Sequence, residues 1–134
     1  MIRAKQLADG MTCGLMHTDV WVDVETPTPE EVAQIQQQYP LNPLALADAQ
    51  EIGHWSRFEE YPKHLFLIFR TLETPHNAHS RTERVSYFYF PEAQVLLTYR
   101  NEPVDYLEQS WNSFRGGSCL RLWQHLLDQG VQTF

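Results

Sequence analysis

The stretch Trp21-Val22-Asp23-Val24-Glu25-Thr26-Pro27-Thr28-Pro29-Glu30-Glu31 decides how the chain is read. Its first four residues alternate as a strand, with Trp21 and Asp23 on one face and Val22 and Val24 on the other. The next residues start a helix. Thr28 is placed to cap, Pro29 fits the first helical position, and Glu31 follows three after the cap, completing a capping box. Val32, Ile35 and Tyr39 continue the helix as a narrow apolar stripe that Pro40 stops. One strand feeding one capped helix sets the expectation of a mixed α and β domain.

Working outward, residues 1–7 alternate as an earlier strand, and Asp9-Gly10 reads as a turn. Downstream of Pro40, Asn42 caps a second helix with Pro43 at its first position, a body from Leu44 to Ile52, and Gly53 at its end. Four extended segments follow: Arg57 to Tyr61, Leu65 to Leu72, Val85 to Phe90 and Val95 to Tyr99. The polar stretch Thr74 to Thr82 reads as a hairpin loop, and Pro91-Glu92 as a turn.

Two helices close the chain. Pro103 opens the first, with Val104, Leu107, Trp111 and Phe114 at helical spacing and Gly116-Gly117 at its end. Ser118 caps the second, whose wide apolar face carries Cys119, Leu120, Trp123, Leu126, Leu127, Val131 and Phe134. Strands and helices cluster rather than strictly alternate. The fold class expected is therefore α/β (α+β), with a mixed, largely antiparallel central sheet and helices on its faces.

At 134 residues and 43% hydrophobic composition, the chain suits one domain, 1–134, with a core of its own. The formal net charge of −7 argues against nucleic acid or an anionic membrane surface as partner, since both call for a basic face. Cys13 and Cys119 are too few and too far apart for a disulfide framework or zinc knuckle, and read as thiols in a reducing compartment. The longest apolar run, Leu65 to Phe69, falls far short of the roughly twenty residues of a membrane span. The chain as it stands is expected to be soluble and cytoplasmic.

No glycine-rich phosphate loop, Gly-x-Ser-x-Gly elbow or His-Glu-x-x-His is present, so the chain is not expected to be an enzyme. His76 with His79, and His125 with Asp128, fall on polar stretches where solvation is the ordinary state. His54, Glu59 and His64 compose the set a small metal-dependent hydrolase would need. Asp48 lies four residues after Leu44 and four before Ile52, on a shared helix face, with Glu51 within side-chain reach. A carboxylate there meets water, caps a neighbouring loop, pairs with Arg57, or holds a cation.

Trp21 to Val24 with Pro27 to Glu31, Leu41-Asn42-Pro43-Leu44-Ala45-Leu46-Ala47-Asp48-Ala49, Arg57 to Tyr61 with Leu65 to Arg70, Glu83 to Ser86, Val95 to Arg100, and Leu120 to Phe134 form an ordered set. In that order they resemble the CorA-like family of divalent-cation transport proteins. The resemblance spans nearly the whole chain. It implies a three-layer α/β/α cytoplasmic domain of a homopentameric Mg2+ or Co2+ transporter, followed by a stalk helix and two membrane spans with Gly-Met-Asn at the pore mouth. Membrane contact would come through that C-terminal part alone, placing this domain on the cytoplasmic face of the cell membrane.

The resemblance also implies that Asp48, with Glu51 nearby, shares a weakly bound regulatory cation at a subunit interface; no other cofactor is implied. Two departures stand out: Ala47 replaces a frequent Glu, and Trp55-Ser56-Arg57 replaces Arg-Pro-Lys. They leave open a zinc-transporting, ZntB-like member. A freestanding soluble interaction module without a membrane half is the remaining reading.

Overall fold

In the computed structural model, the described residues are 1–51, 55–72, 82–114 and 116–133. The strands are β1 (Ile2–Gln6), β2 (Thr12–Cys13), β3 (Val20–Glu25), β4 (Arg57–Glu60), β5 (Leu65–Leu72), β6 (Thr82–Phe90) and β7 (Val95–Arg100). The helices are α1 (Pro29–Gln38), α2 (Pro43–Gln50), α3 (Asp105–Ser113) and α4 (Cys119–Val131). One sheet takes the order β2-β1-β3-β7-β6-β5-β4. Every neighbouring pair is antiparallel except β3 with β7, which run parallel from Val20↔Val95 to Glu25↔Arg100.

Alternation along the strands builds two cores, one on each face. Val20, Val22, Val24, Phe66, Ile68, Phe88, Val95 and Leu97 face α1 and α2, meeting Ile35, Tyr39, Ala45, Leu46 and Ala49. Trp21, Val85, Tyr87, Tyr89 and Leu96 face α3 and α4, meeting Leu107, Trp111, Leu122, Trp123 and Leu126. The expected α/β/α sandwich with a mixed sheet is the observed architecture.

The helix starts form as their sequences dictate. Thr28 Oγ1 accepts from Glu31 N–H at 3.1 Å while Thr28 N–H donates to Glu31 Oε1 at 3.0 Å. Asn42 Oδ1 accepts from Leu44 and Ala45 N–H, and Ser118 Oγ from Arg121 N–H. Between β3 and α1, Thr26 adopts φ +42°, a strained value for a β-branched residue. It is held by Thr26 N–H to Arg100 O at 2.8 Å and Thr26 Oγ1 to Asn101 O at 2.9 Å.

Some boundaries differ from expectation. β6 begins at Thr82, three residues before the expected Val85, because its ladder with β5 runs on to Leu72. Pro103 precedes α3 rather than opening it: Val104 is the N-cap, with no side-chain cap bond. The two-residue β2 was not foreseen; it forms by adding to the outer side of β1. The second helix ends at Gln50, and Ile52, Gly53 and Phe134 lie outside the described residues, as do residues 73–81, on which most of the expected hairpin loop falls. Gly10, at φ +72°, lets the turn after β1 approach the carbonyl of Phe114. Gly116, at φ +81°, lies equally close to that of Ala8.

Candidate functional site

Helix α2 turns Ala45, Leu46 and Ala49 into the core, so the opposite face is the available one. Leu44, expected to share an apolar stripe with Asp48, is 72% exposed. The stripe is therefore a surface feature rather than a core one. Asp48 sits on its flank and accepts a hydrogen bond from Arg57 Nη2 of β4. Among the outcomes open to this carboxylate, the pairing with Arg57 is present.

Arg57 joins a longer string. Its Nε lies 2.7 Å from Glu59 Oε1, close enough for an ion pair, though without hydrogen-bond alignment. Tyr61 donates its hydroxyl to Glu59 Oε2. That bond, with burial second, pushes the Tyr61 phenol up to about 12. The bond to Asp48, ahead of all other causes, raises Arg57 further above its ordinary value. The string Asp48–Arg57–Glu59–Tyr61 thus ties α2 to the outer strand of the sheet.

Glu51 is the C-cap of α2, and its carbonyl accepts from Arg84 Nη1 while Ala49 O accepts from Arg84 Nη2 at 3.0 Å. A guanidinium at the carboxyl end of a helix meets the negative end of its dipole. Burial first, and the neighbouring Arg70 second, lower the Arg84 pKa. Nothing in the sequence marks Arg84 for this role, because the contact joins residues far apart in the chain.

His64 is not available as a metal ligand. Its Nε2 accepts from Asn42 N–H at 3.0 Å, which leaves the proton on Nδ1, 3.2 Å from Leu65 O. The ring is enclosed by Tyr61, Phe88 and Phe90, and burial lowers its pKa. It is a neutral histidine that completes the start of α2. The hydrolase set of His54, Glu59 and His64 loses His64 to this role, and His54 lies outside the described residues, as do His76 and His79. His125 is exposed and lines a cavity of about 250 Å³ with Arg121 and Ser118; Asp128, also exposed, accepts from Gln132 Nε2. Among the described residues no three His, Cys, Asp or Glu side chains are grouped to enclose a metal ion.

A second polar cluster escaped sequence reading altogether. Asp23 is fully buried and accepts from Thr98 Oγ1 at 2.8 Å, Arg3 Nε at 2.8 Å and Arg100 Nη2 at 2.9 Å. Glu108 of α3 accepts from Arg3 at 2.9 Å and from Arg100 at 2.5 Å. Trp21 Nε1 donates to Thr98 Oγ1 at 3.2 Å, and Arg3 stacks over Trp111 at 4.2 Å. Burial alone would lower the Arg100 pKa, but its bonds to Asp23 and Glu108 outweigh it and raise it. Burial pushes Glu108 upward in turn, and the two arginines more than reverse that. The cluster fastens β1, β3, β7 and α3 together.

The family model described as CorA-like Mg2+ transporter protein matches residues 18–134. The soluble domain of CorA from Methanocaldococcus jannaschii superposes with a TM-score of 0.79 at 14% identity, covering 99% of this chain and 56% of that one. The ZntB cytoplasmic domain from Vibrio parahaemolyticus gives 0.76 at 12% identity, covering 98% and 57%. The complete CorA magnesium transporter from Methanocaldococcus jannaschii gives 0.74 at 16% identity, covering 99% and 45%. At these identities the superpositions establish a shared fold. The chain spans little more than half the length of the solved soluble domains, and no curated protein matches its sequence.

Proposed function

Because the chain belongs to the CorA-like Mg2+ transporter family, we propose that it serves as the part of a divalent-cation transporter that lies outside the membrane. It is a transporter-family domain, not an enzyme. The observation that carries the proposal is the family match over residues 18–134, joined to a fold shared over nearly the whole chain with the CorA and ZntB soluble domains. No helix among the described residues is long and apolar enough to cross a membrane.

Within that role, Asp48 is the proposed ligand of a regulatory cation, with Glu51 as the second acid. Mg2+ keeps most of its waters and takes one or two carboxylates, which suits a site of this sparseness. Asp48 lies beside the exposed surface of α2, and a surface ion pair with Arg57 is a weak competitor. An arriving cation would displace Arg57 from Asp48, so occupancy would be read out as movement between α2 and β4. Homopentameric assembly and a position on the cytoplasmic face of the membrane belong to the same proposal. Mg2+ or Co2+ is the favoured cargo, and Zn2+ the alternative, since the ZntB domain also shares the fold.

The test is ion flux by the complete gene product in proteoliposomes, with Mg2+, Co2+ and Zn2+ assayed separately. Saturable flux of one of them is expected; no flux of any divalent cation overturns the proposal in favour of a freestanding module. Asp48→Ala is expected to fold normally and to weaken Mg2+-dependent protection from protease. Undiminished protection in that variant removes Asp48 from any sensing role while leaving transport untouched.

A further inference from the structure

β4 is the terminal strand of the sheet, and no other described strand pairs with its outer side. Three features of that edge are self-complementary. The first is the backbone. Tyr61 N–H bonds inward to His64 O at 2.9 Å, so Tyr61, Glu59 and Arg57 direct their amides and carbonyls toward β5. By alternation, those of Ser56, Phe58 and Glu60 point outward, away from the sheet.

The second feature is charge. A two-fold axis normal to the sheet keeps each face continuous, so residues opposite one another must share a face. With the axis at Phe58, the Phe58 positions of two copies exchange both backbone hydrogen bonds. Arg57 then falls opposite Glu59 of the second copy, and Glu59 opposite its Arg57, in the close non-hydrogen-bonded rows, about 4.5 Å apart at Cα. Moving the axis by one residue sets Glu59 against Glu59 or Arg57 against Arg57. Only the register centred on Phe58 joins outward backbone groups and opposite charges together.

The third feature is apolar surface. Phe58 is 55% exposed and Trp55 84% exposed, among the largest apolar side chains open to solvent in the described structure. In the same register the two Phe58 rings meet across the axis, and Trp55 is carried opposite Tyr61 of the second copy. Aromatic cross-strand pairs of this kind are favourable. Short, charged edges ordinarily discourage pairing, but here the charge pattern is complementary to its own reverse. We propose that β4 is a self-association edge, pairing two copies of this chain antiparallel about Phe58 into one continuous sheet. The inference does not rest on the transporter reading: a two-fold contact of this kind joins chains of separate rings rather than neighbours within a pentamer.

Sedimentation equilibrium of the 134-residue chain tests it. A monomer–dimer equilibrium is expected. Phe58→Pro removes the outward amide at an edge position that tolerates proline, and should leave a folded monomer by circular dichroism. Arg57→Glu and Glu59→Arg each place like charges opposite one another and should weaken association roughly tenfold or more. Mixed in equal amounts, those two variants present opposite charges in both rows, so a heterodimer should form where neither homodimer does. A wild-type chain that stays monomeric at millimolar concentration overturns the proposal. So does a dimer unaffected by Phe58→Pro, or a mixture of the charge-reversed variants that remains monomeric.

Discussion

Replacing Asp23 with alanine should destabilise the fold by stripping Arg100 of its buried partner on β3. Asp23 and Arg100 both have 0% exposed side chains, and their bond at 2.9 Å joins the one parallel pair of strands. Breaking a buried pair from one side leaves the other charge uncompensated, at about 3–5 kcal/mol. Arg100 keeps Glu108 at 2.5 Å and Glu25 at 3.5 Å, which places the expected loss near the lower limit, about 3 kcal/mol. For a domain of this size that corresponds to a fall in Tm of roughly 12 °C.

Urea denaturation followed by tryptophan fluorescence suits the measurement, since Trp21 and Trp111 flank the cluster. The companion variant replaces both partners, Asp23→Leu with Arg100→Met. Removing both charges leaves no uncompensated Arg100, while Arg3 keeps Glu108 and Thr98 Oγ1 keeps the carbonyl of Val22, so this double variant should be more stable than Asp23→Ala alone. A loss below about 1 kcal/mol for Asp23→Ala, or a double variant less stable than the single one, refutes the reasoning.

Other outcomes follow from local geometry. Burial lowers the His64 pKa below its ordinary value of about 6.5, so the folded state binds fewer protons than the unfolded one. That contribution to stability is whole above about pH 6.5 and is lost as pH falls toward the folded pKa. Denaturation at pH 7.5 and 5.5 should therefore show a larger loss in the wild type than in His64→Leu. Gly116→Ala forces a side chain onto φ +81° and within 2.8 Å of the Ala8 carbonyl, costing about 1–3 kcal/mol. Gly14→Ala, with nothing within 4 Å, should stay within about 0.5 kcal/mol by the same thermal-melt comparison.

The helices were legible because their starts are written in contiguous residues: Thr28 with Glu31, Asn42 with Pro43, Ser118 ahead of an apolar face. The two faces of β3 were equally plain from alternation. What alternation conceals is burial of charge. Asp23 and Arg100 occupy strand positions where a charged residue ordinarily means solvent, and the α3 layer that covers them lies elsewhere in the sequence. Asp48 shows the intermediate case. Its pairing with Arg57 was among the readings open from sequence, since nine residues separate the two. The exposure of Leu44 was not, because helical spacing names a stripe without naming what it faces. His64 was misleading for a similar reason: its residue type suggested ligation, while its partners, Asn42 N–H and three aromatic rings, come from other elements.

The parallel pairing of β3 with β7 also sets an order in time. Thr98 and Asp23 are 75 residues apart in the chain, whereas β4 to β7 form a run of antiparallel neighbours linked by short connections. Closing the long loop is slow and entropically costly until the local run exists to receive it. On a ribosome adding about 5–20 residues per second, β3 waits roughly 4–15 seconds for its partner strand to be made. For that interval β3 has only β1 as a strand partner, so the N-terminal hairpin is the segment most dependent on prompt completion of the rest.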